Sequence, residues 1–193
     1  MIKKAIFLLT TAMTLLLAGC TKENRKTTIE RQWVGEIVID EEVGTMPICI
    51  DLGTTEPENM ILAINAGKIK KIIGDMLDID INNDKVLESL GSLGNLSGMG
   101  EFGEFIVLLA NMKDDDYVYS DYTTIPFTLT YTGNDTGTIS FDKKGLTEGL
   151  IIAEFKDLTK TSVTIIVEDE ALELTAAKKE LVKIKDSFFK IFF

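Results

Sequence analysis

The sequence contains no histidine, which removes the commonest general base and the commonest metal ligand of proteins. Serine–histidine and cysteine–histidine nucleophile pairs and histidine-based zinc sites are therefore excluded. Basic residues are also few, since 20 lysines and arginines stand against 31 aspartates and glutamates and the net charge is −11. A chain this acidic repels phosphate groups, so nucleic acid is excluded as a partner and anionic lipid headgroups do not attract it.

Long apolar runs are absent after the N-terminus, where an apolar run covers residues 5–18 behind Lys3 and Lys4. A charged start followed by a short apolar core is typical of a secretory signal peptide, and the run is too short for a dedicated transmembrane helix. It ends in Leu17, Ala18, Gly19 and Cys20. This LAGC ending resembles the lipobox of bacterial lipoproteins.

The resemblance implies that residues 1–19 are removed and that Cys20 is acylated, palmitate being one such acyl group, and becomes the first mature residue. Several acyl chains on one cysteine give stable membrane anchoring, because each buried methylene contributes about 0.8 kcal/mol. In the family an aspartate after the cysteine signals retention in the inner membrane. Thr21 stands there instead, which implies a lipid anchor in the outer membrane of a Gram-negative envelope, on its periplasmic or surface-exposed face.

Cysteine is scarce as well, since the chain has only Cys20 and Cys49. If Cys20 carries lipid, one thiol remains and no internal disulfide can form. Cys49 lies in an alternating apolar segment, which predicts a small buried hydrophobic residue.

The remaining chain predicts a lipidated tether over residues 20–31, which are mostly polar, and one β-rich domain over 32–193. Trp33 to Asp40 and Met46 to Leu52 read as an opening hairpin. Short apolar alternations separated by tight turns then run from Ile125 to Leu174 and predict five further strands. Strands this close in sequence form an antiparallel meander, because parallel pairing needs long crossovers.

Helical spacing of apolar residues from Pro57 to Met76 predicts a helix, which begins a helical insertion at about 57–112 after the second strand. Within it, the apolar run at residues 105–112 fits either a helix or a buried strand. A C-terminal helix is predicted at about 176–193. Its apolar face either docks on the sheet or lies in a membrane interface, and carries Leu181, Ile184, Phe188 and Phe192.

A further candidate strand near Tyr117 brings the strand count to about eight, enough to close a mainly β, antiparallel barrel that holds side chains or one small ligand. The lipobox, the tether, Trp33-Val34-Gly35 and a late strand pair flanking residues 157–160 together resemble the lipocalin-like lipoproteins of Gram-negative bacteria. This resemblance implies a non-enzymatic calycin whose cavity binds a small apolar molecule. The candidate cavity-lining residues are Ile125, Phe127, Leu129 and Tyr131.

Two groups of acidic residues match functional spacings. The first matches the first four ligand positions of an EF-hand calcium loop, although Ser89 stands where the bidentate glutamate belongs, which favours a solvated turn. The second lies on predicted strands and offers the carboxylate pair that a glycosidase needs, although a solvated acidic face explains it more simply. The first group is Asp78, Asp80, Asn82 and Asp84, and the second is Glu36, Asp40, Glu154 and Glu168.

The sequence thus favours a non-enzymatic module, anchored through Cys20, that binds a small apolar ligand or a protein partner and carries no cofactor. The alternative is a structural or assembly lipoprotein that acts through its surface. The two differ in whether the barrel interior contains an apolar cavity or is packed solid.

Overall fold

The computed structural model describes residues 27–40, 44–82, 100–141 and 150–189. The predicted signal peptide, Cys20, Asp84 and Phe192 lie outside these ranges. The strands are β1 (Gln32–Asp40), β2 (Gly44–Leu52), β3 (Asn59–Asn65), β4 (Tyr117–Tyr119), β5 (Thr124–Tyr131), β6 (Gly137–Phe141), β7 (Ile151–Lys156), β8 (Ser162–Val167), β9 (Glu170–Ala176) and β10 (Leu181–Lys183). The helices are α1 (Ala66–Leu77), α2 (Glu101–Asn111) and α3 (Asp186–Phe189), with a 3-10 turn at Asp121–Thr123.

Eight of these strands close into an antiparallel barrel, which confirms the predicted fold class. Strands β1, β2, β3 and β5 to β9 each pair with the next in the chain, and β9 returns to β1. The pair Met60 and Ile125 joins β3 to β5, and the pair Trp33 and Ala176 joins β1 to β9. Strand β4 pairs with the end of β3, and β10 adds to β4 in parallel.

Most barrel strands bury one face because their apolar residues recur at every second position. In β5, Ile125 and the alternate residues after it are buried or partly buried, whereas the residues between them, Pro126 among them, are exposed. The same alternation in β7 and β8 turns Phe155 and Val163 inward. The barrel interior is consequently apolar.

A cluster of buried side chains closes the barrel at the end where β1 begins, which we call the closed end. Trp33 is fully buried and its indole Nε1 donates a hydrogen bond to the Ile29 carbonyl oxygen at 2.8 Å. The Tyr131 hydroxyl accepts one from the Ile29 amide at 3.1 Å, and its ring meets Phe155 edge-on at 5.4 Å. Ile29 therefore belongs to the barrel, and the predicted tether over residues 20–31 is too long.

Three helices pack at the opposite end, which we call the helical end. Asn65 caps α1 by accepting a hydrogen bond from the Lys68 amide at 2.9 Å. Phe105 of α2 stacks on Phe188 of α3 with ring centroids 4.9 Å apart. Both belong to a buried cluster that also contains Ile69 of α1. No helix in the described ranges is long and apolar enough to cross a membrane.

The helix predicted from Pro57 is wrong in its first part, because residues 59–65 form β3 and α1 begins at Ala66. The insertion therefore follows the third strand. Ile61 packs on the outward face of β3 and Ile64 on the inward face, so both faces of this strand are apolar. Apolar residues on both faces of a strand can also match the spacing expected of a helix, which explains the wrong prediction. The open alternative at residues 105–112 resolves as the helix α2, which spans Glu101–Asn111.

The C-terminal helix predicted at about 176–193 is also wrong in extent. Residues up to Ala176 continue β9, residues 181–183 form β10, and within the described part of this segment the helix covers residues 186–189. Ile184 and Phe188 are buried in the helical-end cluster. In the described residues this segment docks on the barrel rather than presenting an apolar face outward.

A buried carboxylate fixes the turn between β2 and β3 to the start of β1. Asp51 accepts five hydrogen bonds, from the amides and hydroxyls of Thr54 and Thr55 and from Gln32 Nε2, at 2.6–3.2 Å. Burial raises the pKa of Asp51, but these hydrogen bonds outweigh it and hold that pKa below its usual value of 3.8. The ionised carboxylate therefore stabilises the folded state.

Replacing Asp51 by asparagine (Asp51→Asn) is expected to lower the free energy of unfolding at pH 7 by about 2 kcal/mol, because hydrogen bonds to a buried charge are lost. Because folding lowers the pKa of Asp51, its contribution is complete above pH 3.8 and disappears as the pH falls below that value. Urea unfolding at pH 7 and at pH 3 measures this. The exposed Asp115 supplies the control Asp115→Asn, and an equal loss at both pH values would contradict the prediction.

Candidate ligand-binding cleft

The barrel wall is open between β1 and β9. These strands pair only at Trp33 with Ala176 and at Val34 with Thr175. Each of these two strands pairs much further with its other neighbour. Strand β9 forms six residue pairs with β8, and β1 remains paired with β2 as far as Asp40. The opening therefore lies between β1 and β9, in the half of each strand that is nearer to the helical end.

Like charges explain why the two strands separate there. If the pairing continued in the same register, Glu36 would lie directly opposite Glu173. Like charges at opposed positions of an antiparallel pair are destabilising, by about the 0.2–1 kcal/mol that opposite charges contribute. Gly35 is the last close contact, because the Leu174 side chain occupies the space that a side chain at Gly35 would need.

The opening forms a cleft of about 850 Å³, a size typical of sites for small molecules. Three of its residues, Ile37, Val167 and Leu172, face the barrel interior and are only partly buried. Leu172 contacts both the closed-end and the helical-end clusters, so the cleft reaches the interior at the boundary between them. Among the described residues, the cleft is lined by Glu36, Ile37, Val38, Val167, Glu168, Glu170, Ala171 and Leu172.

The rim of this cleft is negatively charged. Glu36, Glu168 and Glu170 are exposed, and no lysine or arginine is among the lining residues. Glu168 belongs to a two-residue turn with φ values of 50° and 70°, the left-handed geometry of tight hairpins, which fixes one edge of the rim. An apolar floor below a negative rim favours ligands that are apolar and either neutral or cationic.

The four predicted cavity-lining residues of β5 have their side chains in the barrel but do not line this cleft. Phe127, Leu129 and Tyr131 pack against the closed-end cluster, and Ile125 is buried. The residues that do line the cleft floor were missed. They become identifiable only when the pairing of β1 with β9 is known, because the opposed Glu36 and Glu173 are 137 positions apart in the chain.

The candidate glycosidase acids are distributed over the barrel. Glu36 and Glu168 line the cleft. Glu154 lies exposed on β7, which pairs with β6 and β8 and therefore does not border the cleft. The side chain of Asp40 is not among those that the structure describes. The structure therefore places two of the four acids at one opening.

The side chain of Lys70 lies beside Asn82 of the candidate calcium loop. Its ammonium is almost fully buried and donates to Asn82 Oδ1 at 3.1 Å, to the Met112 carbonyl oxygen at 2.6 Å and to Asp114 Oδ1 at 2.9 Å. An ammonium bound to one proposed ligand disfavours a second cation there. In the part of the chain that the structure describes, no three acidic or cysteine side chains are grouped to hold a metal ion.

A second surface cleft of about 720 Å³ lies at the closed end, beside Arg31, Thr54 and Thr55. Several of its polar groups already have partners: both threonine hydroxyls donate to Asp51, and Arg31 donates to the Lys160 carbonyl oxygen at 2.8 Å. This cleft is therefore explained by the structural role of Asp51.

Reversing one charge should close the seam. The variant Glu173→Lys places a positive charge opposite Glu36, so we expect β1 and β9 to pair further and the amides of Glu36 and Val38 to exchange hydrogen about tenfold more slowly. Hydrogen–deuterium exchange measures this. Glu154→Lys makes the same change on β7 as the control, and unchanged exchange in Glu173→Lys would contradict the like-charge explanation.

Comparison of the chain with protein-family models, with curated proteins and with solved structures gives no match. A function for the cleft therefore has to be argued from its geometry and chemistry.

Proposed function

We propose that this protein is a non-enzymatic binding module that takes up a small apolar molecule through the cleft between β1 and β9. The observation that carries the proposal is the opening of an otherwise paired barrel onto the inward-facing side chains of Ile37, Val167 and Leu172. Apolar surface that water can reach in a concave site is stabilised when a ligand covers it.

The packing of the rest of the barrel limits the size of this ligand. Trp33 and Phe155 fill the closed end, and α2 and α3 contribute Phe105 and Phe188 to the cluster at the helical end. A ligand of modest size that enters from the side fits this arrangement better than a long chain threaded along the barrel axis.

We also propose that the barrel is held at the outer membrane through acylated Cys20. Two features support this. Residues 27–31 lead into β1 at the closed end, so the tether enters the barrel there, whereas the cleft opens toward the opposite end. An anchored barrel would then present its cleft away from the attachment point. The second cysteine is unsuited to acylation, because burial and the nearby Asp51 charge raise the pKa of Cys49 to about 12.

The neutral apolar dye N-phenyl-1-naphthylamine tests the binding proposal. We expect saturable fluorescence enhancement by the domain without its signal peptide. The variant Leu172→Trp fills the cleft and should weaken dye affinity at least tenfold, equivalent to about 1.4 kcal/mol.

The exposed Ile152 of β7 provides the matched control Ile152→Trp, which adds the same side chain outside the cleft. Equal melting temperatures of the variants would show that the fold is kept. Absence of saturable binding, or equal binding by Leu172→Trp, would overturn the proposal in favour of a structural lipoprotein that acts through its surface.

Acylation is tested in a Gram-negative host by metabolic labelling with an alkynyl palmitate. We expect label in the full-length chain and in Cys49→Ala, and none in Cys20→Ala. Fractionation should place the labelled protein in the outer membrane. Label that persists in Cys20→Ala would contradict the proposed anchor.

A further inference from the structure

We propose that the seam between β1 and β9 accepts an extended basic segment of a partner protein as an additional β-strand. This inference concerns the backbone edges that flank the same opening, and it does not require that a small molecule binds there. It is carried by three features of the seam: unpaired strand edges, opposed carboxylates and an apolar inner face.

The edge of β1 presents unpaired backbone groups toward the seam. In an antiparallel sheet the amide and carbonyl of one residue point to the same neighbouring strand, and successive residues alternate. The Ala177 amide donates to the Gln32 carbonyl oxygen at 3.3 Å, so Gln32 points toward the β9 side. By this alternation, the backbone groups of Val34, Glu36 and Val38 also point toward β9. Among the described residues, only Val34 of these three pairs with a residue of β9.

The edge of β9 matches it. Thr175 pairs with Val34 across the seam, so alternation turns Glu173 and Ala171 toward the seam as well. Within the described ranges these two residues pair only with β8, on their other side. The Glu173 carbonyl oxygen still lies close to Gly35, so the two edges separate beyond this contact, where Val38 and Ala171 both line the cleft. Strand edges of this kind are templates for an added strand.

The two carboxylates at the seam, of Glu36 and Glu173, favour a basic occupant. Glu36 and Glu173 are both exposed and point away from the barrel interior, one from each edge. A strand added at the open end of the seam, with a lysine or arginine facing outward, would lie near both carboxylates, and a cross-strand pair of opposite charges contributes about 0.2–1 kcal/mol. A second copy of this chain fits poorly, because its net charge is −11.

The inner face of the added strand would be apolar. Its alternate side chains would point toward Ile37 and Leu172, which form the cleft floor. The expected occupant is therefore an extended segment in which basic and apolar residues alternate. The same glutamates that keep the seam from closing make it selective for such a segment.

Three synthetic peptides test this: TVKVKVT, the acidic TVEVEVT, and TVKPKVT, whose central proline lacks a backbone donor. We expect fluorescence anisotropy to show TVKVKVT binding at least tenfold more tightly than either of the other two. Hydrogen exchange at the amides of Glu36, Val38, Ala171 and Glu173 should slow when TVKVKVT is bound. Exchange at the fully paired β6–β7 seam serves as the internal reference.

A protein variant tests the selection by charge. The double variant Glu36→Gln and Glu173→Gln removes both carboxylates and should weaken TVKVKVT binding about tenfold. Glu154→Gln is the matched control, since this residue is exposed on β7. Equal binding of TVKPKVT and TVKVKVT would reduce the interaction to charge attraction and overturn strand addition, as would binding without slowed exchange at the seam.

Discussion

The pairing of β1 with β9 is the constraint on which the rest of this structure depends. It joins the first and last strands of the barrel, whose other neighbouring strands follow one another in the chain, and it does so through two residue pairs. These pairs bring Trp33 and Val34 against Ala176 and Thr175, where the buried Trp33 can fill the closed end. Beyond Gly35 the same register would oppose two glutamates. One register therefore produces both the closed barrel and its opening.

The opening is held in a rigid frame. On one side of the seam, five hydrogen bonds to Asp51 fix the β2–β3 turn, and through Gln32 they tie it to the first residue of β1. On the other side, β9 is paired with β8 along its length. At the helical end, Lys70 links α1 to residues 82, 112 and 114. A site on a frame that does not reorganise loses less free energy when it orders a ligand.

The sequence was sufficient to predict the barrel, because alternation in β5 to β9 and short turns determine an antiparallel meander. It was insufficient where both faces of an element are apolar. Ile61 and Ala63 lie on the outward face of β3 in a buried cluster with Tyr117 and Tyr119 of the neighbouring β4, and this second apolar face removes the alternation that identifies a strand. It was also insufficient for the site, because a cleft between β1 and β9 depends on a register between distant segments.

The acidic residues of the seam connect stability, solubility and recognition. An open strand edge normally invites self-association, and charged side chains on the edge are a common protection against it. Here Glu36 and Glu173 protect both edges at once, and they do so in a chain whose overall charge already opposes self-association. A protection made of one sign of charge is selective, since it repels acidic segments and attracts basic ones. The feature that keeps the barrel from closing completely therefore also determines which partners can complete it.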